Sequence, residues 1–108
     1  MYLKHFKEAK SLMRKTIPVA PRLFGENSEL TLNMRKVYAI SLYRDGGATL
    51  DDLREAVSTL EEIERTARRV MGGAHPLTEG MEDDLQHARA LLRARETALA
   101  EALADMRV

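Results

Sequence analysis

The 108-residue chain has no cysteine and no tryptophan, and only 5% of its residues are aromatic. Without cysteine there is no disulfide framework and no thiolate zinc site. With so few aromatics, a core must be built from Leu, Met, Ala, Ile and Val, which suits helices better than sheets. No apolar run approaches the ~18 residues that span a bilayer. The opening residues Met1-Tyr2-Leu3-Lys4-His5 lack the apolar core of a secretory signal. From these absences we expect a cytoplasmic protein without membrane contact. An excess of one charge is also missing: Lys+Arg and Asp+Glu each number 17. A general polyanion-binding role, nucleic acid included, draws no support from that balance.

The charges are nevertheless unevenly placed. Residues 1–50 hold 9 Lys/Arg and 4 Asp/Glu, and residues 51–108 hold 8 and 13, which is +5 followed by −5. A basic end of one copy could meet the acidic end of another.

Proline is scarce, at 18, 21 and 76, and glycine occurs at 25, 46, 47, 72, 73 and 80. These residues punctuate four helical stretches, and no sustained period-2 alternation argues for strands. The first stretch covers 2–24, with a stripe of Phe6, Ala9, Met13, Thr16 and Ala20. Pro18 and Pro21 predict a break between Ile17 and Pro21, with a turn running on to Phe24. The second covers 28–44 and carries Leu30, Met34, Val37, Tyr38, Ser41 and Leu42 on one stripe, with Leu32, Ile40 and Tyr43 off it. Apolar residues on more than one face call for neighbours on more than one side. The third covers 50–71, with a Thr49 cap, Asp51 and Asp52 in the first turn and Arg68 and Arg69 in the last. The fourth opens at His75-Pro76 and runs to Met106, about 45 Å long and so overhanging its neighbours.

Residues 6–34 align without gaps on residues 53–81 at a shift of 47, with nine identities: Glu8/Glu55, Ala9/Ala56, Ser11/Ser58, Ala20/Ala67, Arg22/Arg69, Gly25/Gly72, Leu30/Leu77, Thr31/Thr78 and Met34/Met81. An arbitrary shift would give about two, and these matches fall on the apolar stripe and its punctuation, as in an internal repeat.

The repeating unit resembles the tetratricopeptide repeat, most closely its kinesin light chain subtype. Phe6 to Lys15 followed by Leu23 to Leu32 is similar to the second helix and inter-repeat turn of that unit. Gly72-Gly73-Ala74-His75-Pro76-Leu77-Thr78 resembles its Gly-x-x-His-Pro-x-Thr turn. Val37 to Tyr43 resembles the first helix, with small Ala39 where helices cross, and Ala9 and Ala56 match the small residue of the second. The likeness covers residues 6–92 and departs from the subtype in three places. The period is longer, as a longer loop at 46–50 would make it, and Gln86 and Asp84 stand where Ala39 and Val37 stood. The fourth helix thus reads as a polar-faced cap.

The resemblance implies an all-α fold spanning 1–108: a short right-handed helical-repeat solenoid of two antiparallel helix pairs, its last helix long and cap-like. It implies a non-catalytic module binding a protein or peptide, with the groove on the first helix of each repeat. There the expected partner residues are Asn33, Lys36, Ile40 and Arg44. The alternative is self-assembly. Two repeats are fewer than the roughly three that make a stable array. Leu3, Phe6, Leu12 and Ile17 would then be covered by another copy, head-to-tail, in an oligomer or filament.

Catalysis, cofactor and metal are not expected. Ser11, Ser28, Ser41 and Ser58 have no His/Asp partner pattern, and His5, His75 and His87 lack metal-ligand spacing. Acids at the start of a helix explain Glu82-Asp83-Asp84 more simply than a cation site. Neither Gly46-Gly47 nor Gly72-Gly73 is followed by the Gly-Lys-Ser/Thr of a phosphate loop. The cations Lys4, Lys7, Lys10, Arg14 and Lys15, and Arg65, Arg68 and Arg69, read as solvated faces, because no aromatics are interleaved to stack on bases.

Overall fold

The computed structural model describes residues 2–19, 25 and 27–107, with the backbone alone at 2–6, 9 and 16. Its described residues form no strand. Four helices pack on one another: α1 (Tyr2–Thr16), α2 (Glu29–Arg44), α3 (Leu50–Met71) and α4 (Pro76–Met106). Each runs antiparallel to the next. Arg14 meets Tyr38 while Lys10 meets Asp45, Arg35 meets Glu62, and Arg54, Arg68 and Arg89 reach Glu96, Glu82 and Glu61. α2 touches all three other helices.

The first helix expected over 2–24 ends at Thr16, and Ile17–Val19 form a turn closed by the Ile17 N–H on the Met13 carbonyl. Pro18 explains the stop: it lacks an N–H and disfavours the helical region for the residue before it. The turn expected to continue to Phe24 lies outside the described residues.

α3 is the most regular element. Thr49 Oγ1 accepts the Asp52 N–H and the Asp52 carboxylate accepts the Thr49 N–H, a reciprocal capping box. Leu53, Ala56, Leu60, Ile63 and Ala67 then bury one stripe. In α2 the stripe is rotated from its expected position. Leu30 and Val37 are 46% and 37% exposed, whereas Leu32 is fully buried and Tyr43 nearly so. The reason is α2's central place: α1, α3 and α4 between them cover Leu32, Tyr38, Ala39, Leu42 and Tyr43. Ala39, Ala56, Ala67 and Ala88 are wholly buried, small side chains at helix contacts. Each fully buried Leu, Ile or Met (Leu32, Leu42, Leu53, Leu60, Ile63, Met81) stabilises the fold by about 1.5–3 kcal/mol relative to exposure.

The glycines that precede α2 and α4 share a positive φ. Gly25 has φ +87° and Gly72 has φ +90°, a region that costs glycine nothing and side chains much. The Ser28 N–H reaches the Gly25 carbonyl at 3.4 Å, and the His75 N–H reaches Gly72 at 3.3 Å. Ser28 and His75 then occupy the same place, the N-caps of α2 and α4.

α4 outruns the rest. Its 31 residues are about 46 Å long, against about 33 Å for the 22 of α3. The molecule measures 55 × 29 × 23 Å with a radius of gyration of 15.5 Å, where a compact chain of this length would have about 13 Å.

Candidate partner-binding face

The residues expected to line the groove, Asn33, Lys36, Ile40 and Arg44, recur at spacings that keep them on one side of α2. That side turns toward α4. Lys36 and Ile40 are half-buried, and Asn33 and Arg44 are exposed at the two ends of the row. Ile40 packs against the core. Asn33, with Glu29, Leu30 and Leu77, lines a shallow hollow of about 460 Å³ between the starts of α2 and α4.

The row is organised by Asp84, which is 7% exposed. Tyr43 donates its phenol to Asp84 Oδ1 at 2.7 Å. Lys36 Nζ lies 3.8 Å from Oδ2 and Arg44 Nη2 lies 3.8 Å from Oδ1. Arg44 also stands over the Tyr43 ring, 5.7 Å from its centroid. Gly80 makes room for this arrangement, since a Cβ there would come within 2.7 Å of Lys36 Nζ. Burial, and then the bond to Asp84, push the Tyr43 phenol up to about 12. Two cations thus share one carboxylate, and both distances exceed hydrogen-bonding length. Glu29 at the end of the same row balances the second cation, and neither cation spends a donor on Asp84 within hydrogen-bonding length.

The structure corrects the reading of the acids at 82–84. The first turn of α4 holds Glu79, and Asp84 lies five residues further on, as an inward anchor. Glu82 meets Arg68 at 3.4 Å, and Asp83 is exposed. Asp84, Tyr43 and Gly80 were not singled out as site residues from the sequence. One signal existed: an acid stands at 84 where the first repeat has Val37.

A second tyrosine network lies on the opposite side of α2. Tyr38 donates to Glu55 of α3 and accepts from Arg14 Nε of α1 at 3.4 Å. Burial first, and then the Glu55 bond, raise the Tyr38 phenol, while the Tyr38 bond raises Arg14. α2 is therefore tied by one phenol to α1 and α3 and by another to α4.

Of the residues expected to self-associate, Leu3 and Phe6 have side chains outside the described set. Leu12 is 59% exposed, and Ile17 packs half-buried against the core. The α1 cation Lys10 lies 3.9 Å from buried Asp45, whose Oδ1 accepts the Gly47 N–H. Among the described residues no group of three or more His, Cys, Asp and Glu is placed to hold a metal ion, and no helix is long and apolar enough to cross a membrane. His75 uses Nδ1 to cap α4 by accepting the Leu77 N–H.

From residue 93 onward every described side chain of α4 is exposed. Leu99, Leu103 and Met106, 48%, 51% and 81% exposed, continue the line of Met81, Leu85, Ala88 and Leu92 that is covered in the body. Arg95 marks the end of cover by donating to the Ala48 carbonyl at 3.0 Å. Beneath it a hollow of about 420 Å³ opens between Tyr43, Ala48 and Leu53 on one side and Leu91, Ala94 and Ala98 on the other.

Compared with protein-family models, curated proteins and solved structures, the chain matches none of them.

Proposed function

We propose that this all-helical chain is a non-catalytic protein–protein interaction module of the tetratricopeptide-repeat type, and that its α2–α4 face binds a peptide or partner helix carrying an acidic residue. The observation that carries this reading is the shared carboxylate: Lys36 and Arg44 both face Asp84 at 3.8 Å and no nearer. An incoming Asp or Glu side chain would take the donors those cations leave free, in charge-assisted hydrogen bonds. Ile40 and Leu77 supply apolar contact beside the charge, and Asn33 offers an amide at the far end. Gly25 and Gly72 share a positive φ and each accepts the N–H three residues on, which supports the repeat reading.

Selection of peptides from a random display library against the purified chain tests this. The expected consensus holds one acidic residue flanked by apolar ones, and Arg44→Ala weakens the selected peptides about tenfold or more, as loss of one charge-assisted contact does. Arg69→Ala, at the end of α3, leaves binding unchanged. Peptides indifferent to both Arg44 and Lys36 would dismiss the reading.

A further inference from the structure

We infer that the overhanging part of α4 is the contact by which two copies of this chain form an antiparallel, two-fold dimer. The inference does not depend on the α2–α4 face.

The free stretch runs from the last residues with partners in the body, Arg95 and Glu96, to Arg107. Within it, Leu99, Leu103 and Met106 lie on one side of the helix, in line with Leu92. The flank beside that line carries opposite charges at its two ends. Glu96 stands at the body end and Arg107 eleven residues, or about three turns, beyond. Glu96 has only a loose contact with Arg54, 3.7 Å away, and Arg54 also has Asp51 at 3.7 Å. Arg107 makes no ion pair among the described residues.

These features fit one occupant, a second copy running the other way. When Glu96 is set level with the copy's Arg107, the symmetry sets Arg107 level with the copy's Glu96. Leu99 then stands within one residue of the copy's Leu103 along the axis, and Leu103 within one residue of the copy's Leu99, so the two apolar lines lie along each other. Along the seam the order is Leu99, the copy's Leu103, Leu103, the copy's Leu99. A parallel pairing would instead set Arg107 beside Arg107 and Glu96 beside Glu96. The contact is isologous, so it closes at two copies and does not propagate. Each free stretch is only about 15 Å long, so the buried area falls below the roughly 1,200 Å² of a standard interface and the dimer is weak.

Sedimentation equilibrium from about 0.01 to 1 mM, spanning the weak range expected of so small an interface, is the test. The expected result is a monomer–dimer equilibrium with nothing larger. Leu103→Glu changes an exposed side chain, so its helical content and thermal midpoint should match the parent while dimerisation weakens at least 100-fold. Glu96→Arg and Arg107→Glu each weaken it about fivefold, in keeping with exposed ion pairs, and the double exchange restores it. The absence of cysteine allows a direct check of register. Ala102→Cys should join to its own copy through a short bis-maleimide, and Ala90→Cys should not. A monomer throughout the range, growth beyond two copies, or failure of the double exchange to recover would overturn the inference.

Discussion

The two segments related by the 47-residue shift place a positive-φ glycine and a helix N-cap alike and then differ in their polar contacts. In the first, Ser28 Oγ accepts the Thr31 N–H and donates to Thr31 Oγ1, which in turn donates to the Gly25 carbonyl at 2.8 Å. In the second, His75 Nδ1 takes the Leu77 N–H instead, and the wholly buried Thr78 Oγ1 has no hydrogen-bond partner among the described residues. The glycine and the cap position are repeated and the polar closure is not. The helices that follow diverge in the same way. At the position where α2 carries a partly exposed Val37, α4 carries the buried Asp84. A shared glycine and cap position therefore set where a helix starts, while each segment satisfies its polar groups in its own way.

The largest effect should come from the divergent pair. Asp84→Ala leaves Lys36, Arg44 and the Tyr43 phenol without their shared acceptor and should cost about 2–4 kcal/mol in urea unfolding, toward the lower end because Arg44 is half exposed. Val37→Ala should cost no more than about 0.5 kcal/mol. Equal losses would mean that Asp84 is no anchor.

The shared feature should respond alike in both copies. Gly25→Ala and Gly72→Ala meet no neighbour within 4 Å, so each loses only the freedom to hold positive φ, about 1–2 kcal/mol. Costs that differ widely between the two glycines would argue against a common turn.

The caps should split. Thr31→Val removes two hydrogen bonds and should destabilise by about 1 kcal/mol, whereas Thr78→Val removes an unpaired buried hydroxyl and should be neutral or stabilising. Thermal unfolding of the two variants reads this difference directly.

Alkaline titration gives the smallest effect. Tyr43 is held up to about 12 in the folded chain, above the usual 10. Its neutral form is thus favoured by folding. The stability it contributes is intact below pH 10 and is lost between 10 and 12, by less than about 1 kcal/mol up to pH 10.5. Absorbance at 295 nm should show its phenolate forming last. In Tyr43→Phe that late step should vanish and the decline above pH 10 should flatten.

Much of the fold was legible before any coordinates, because helix ends are written locally. Thr49 with Asp52, Ser28, His75-Pro76, and Gly25 and Gly72 each act on backbone groups a few residues away, as does Pro18. The site was legible only in part. Lys36 and Arg44 were named, but Asp84 was read as a helix-start acid, since nothing in its neighbours along the chain reveals a phenol 41 positions earlier.

What the sequence alone determined is the number of helices, the places where they stop and the positive-φ glycines before α2 and α4. Those depend on interactions within a turn or two. Which face of each helix is covered was decided by tertiary structure. Leu32 and Tyr43 lie inside and Leu30 and Val37 outside because α2 has three neighbours, and periodicity along one helix does not say where its neighbours stand.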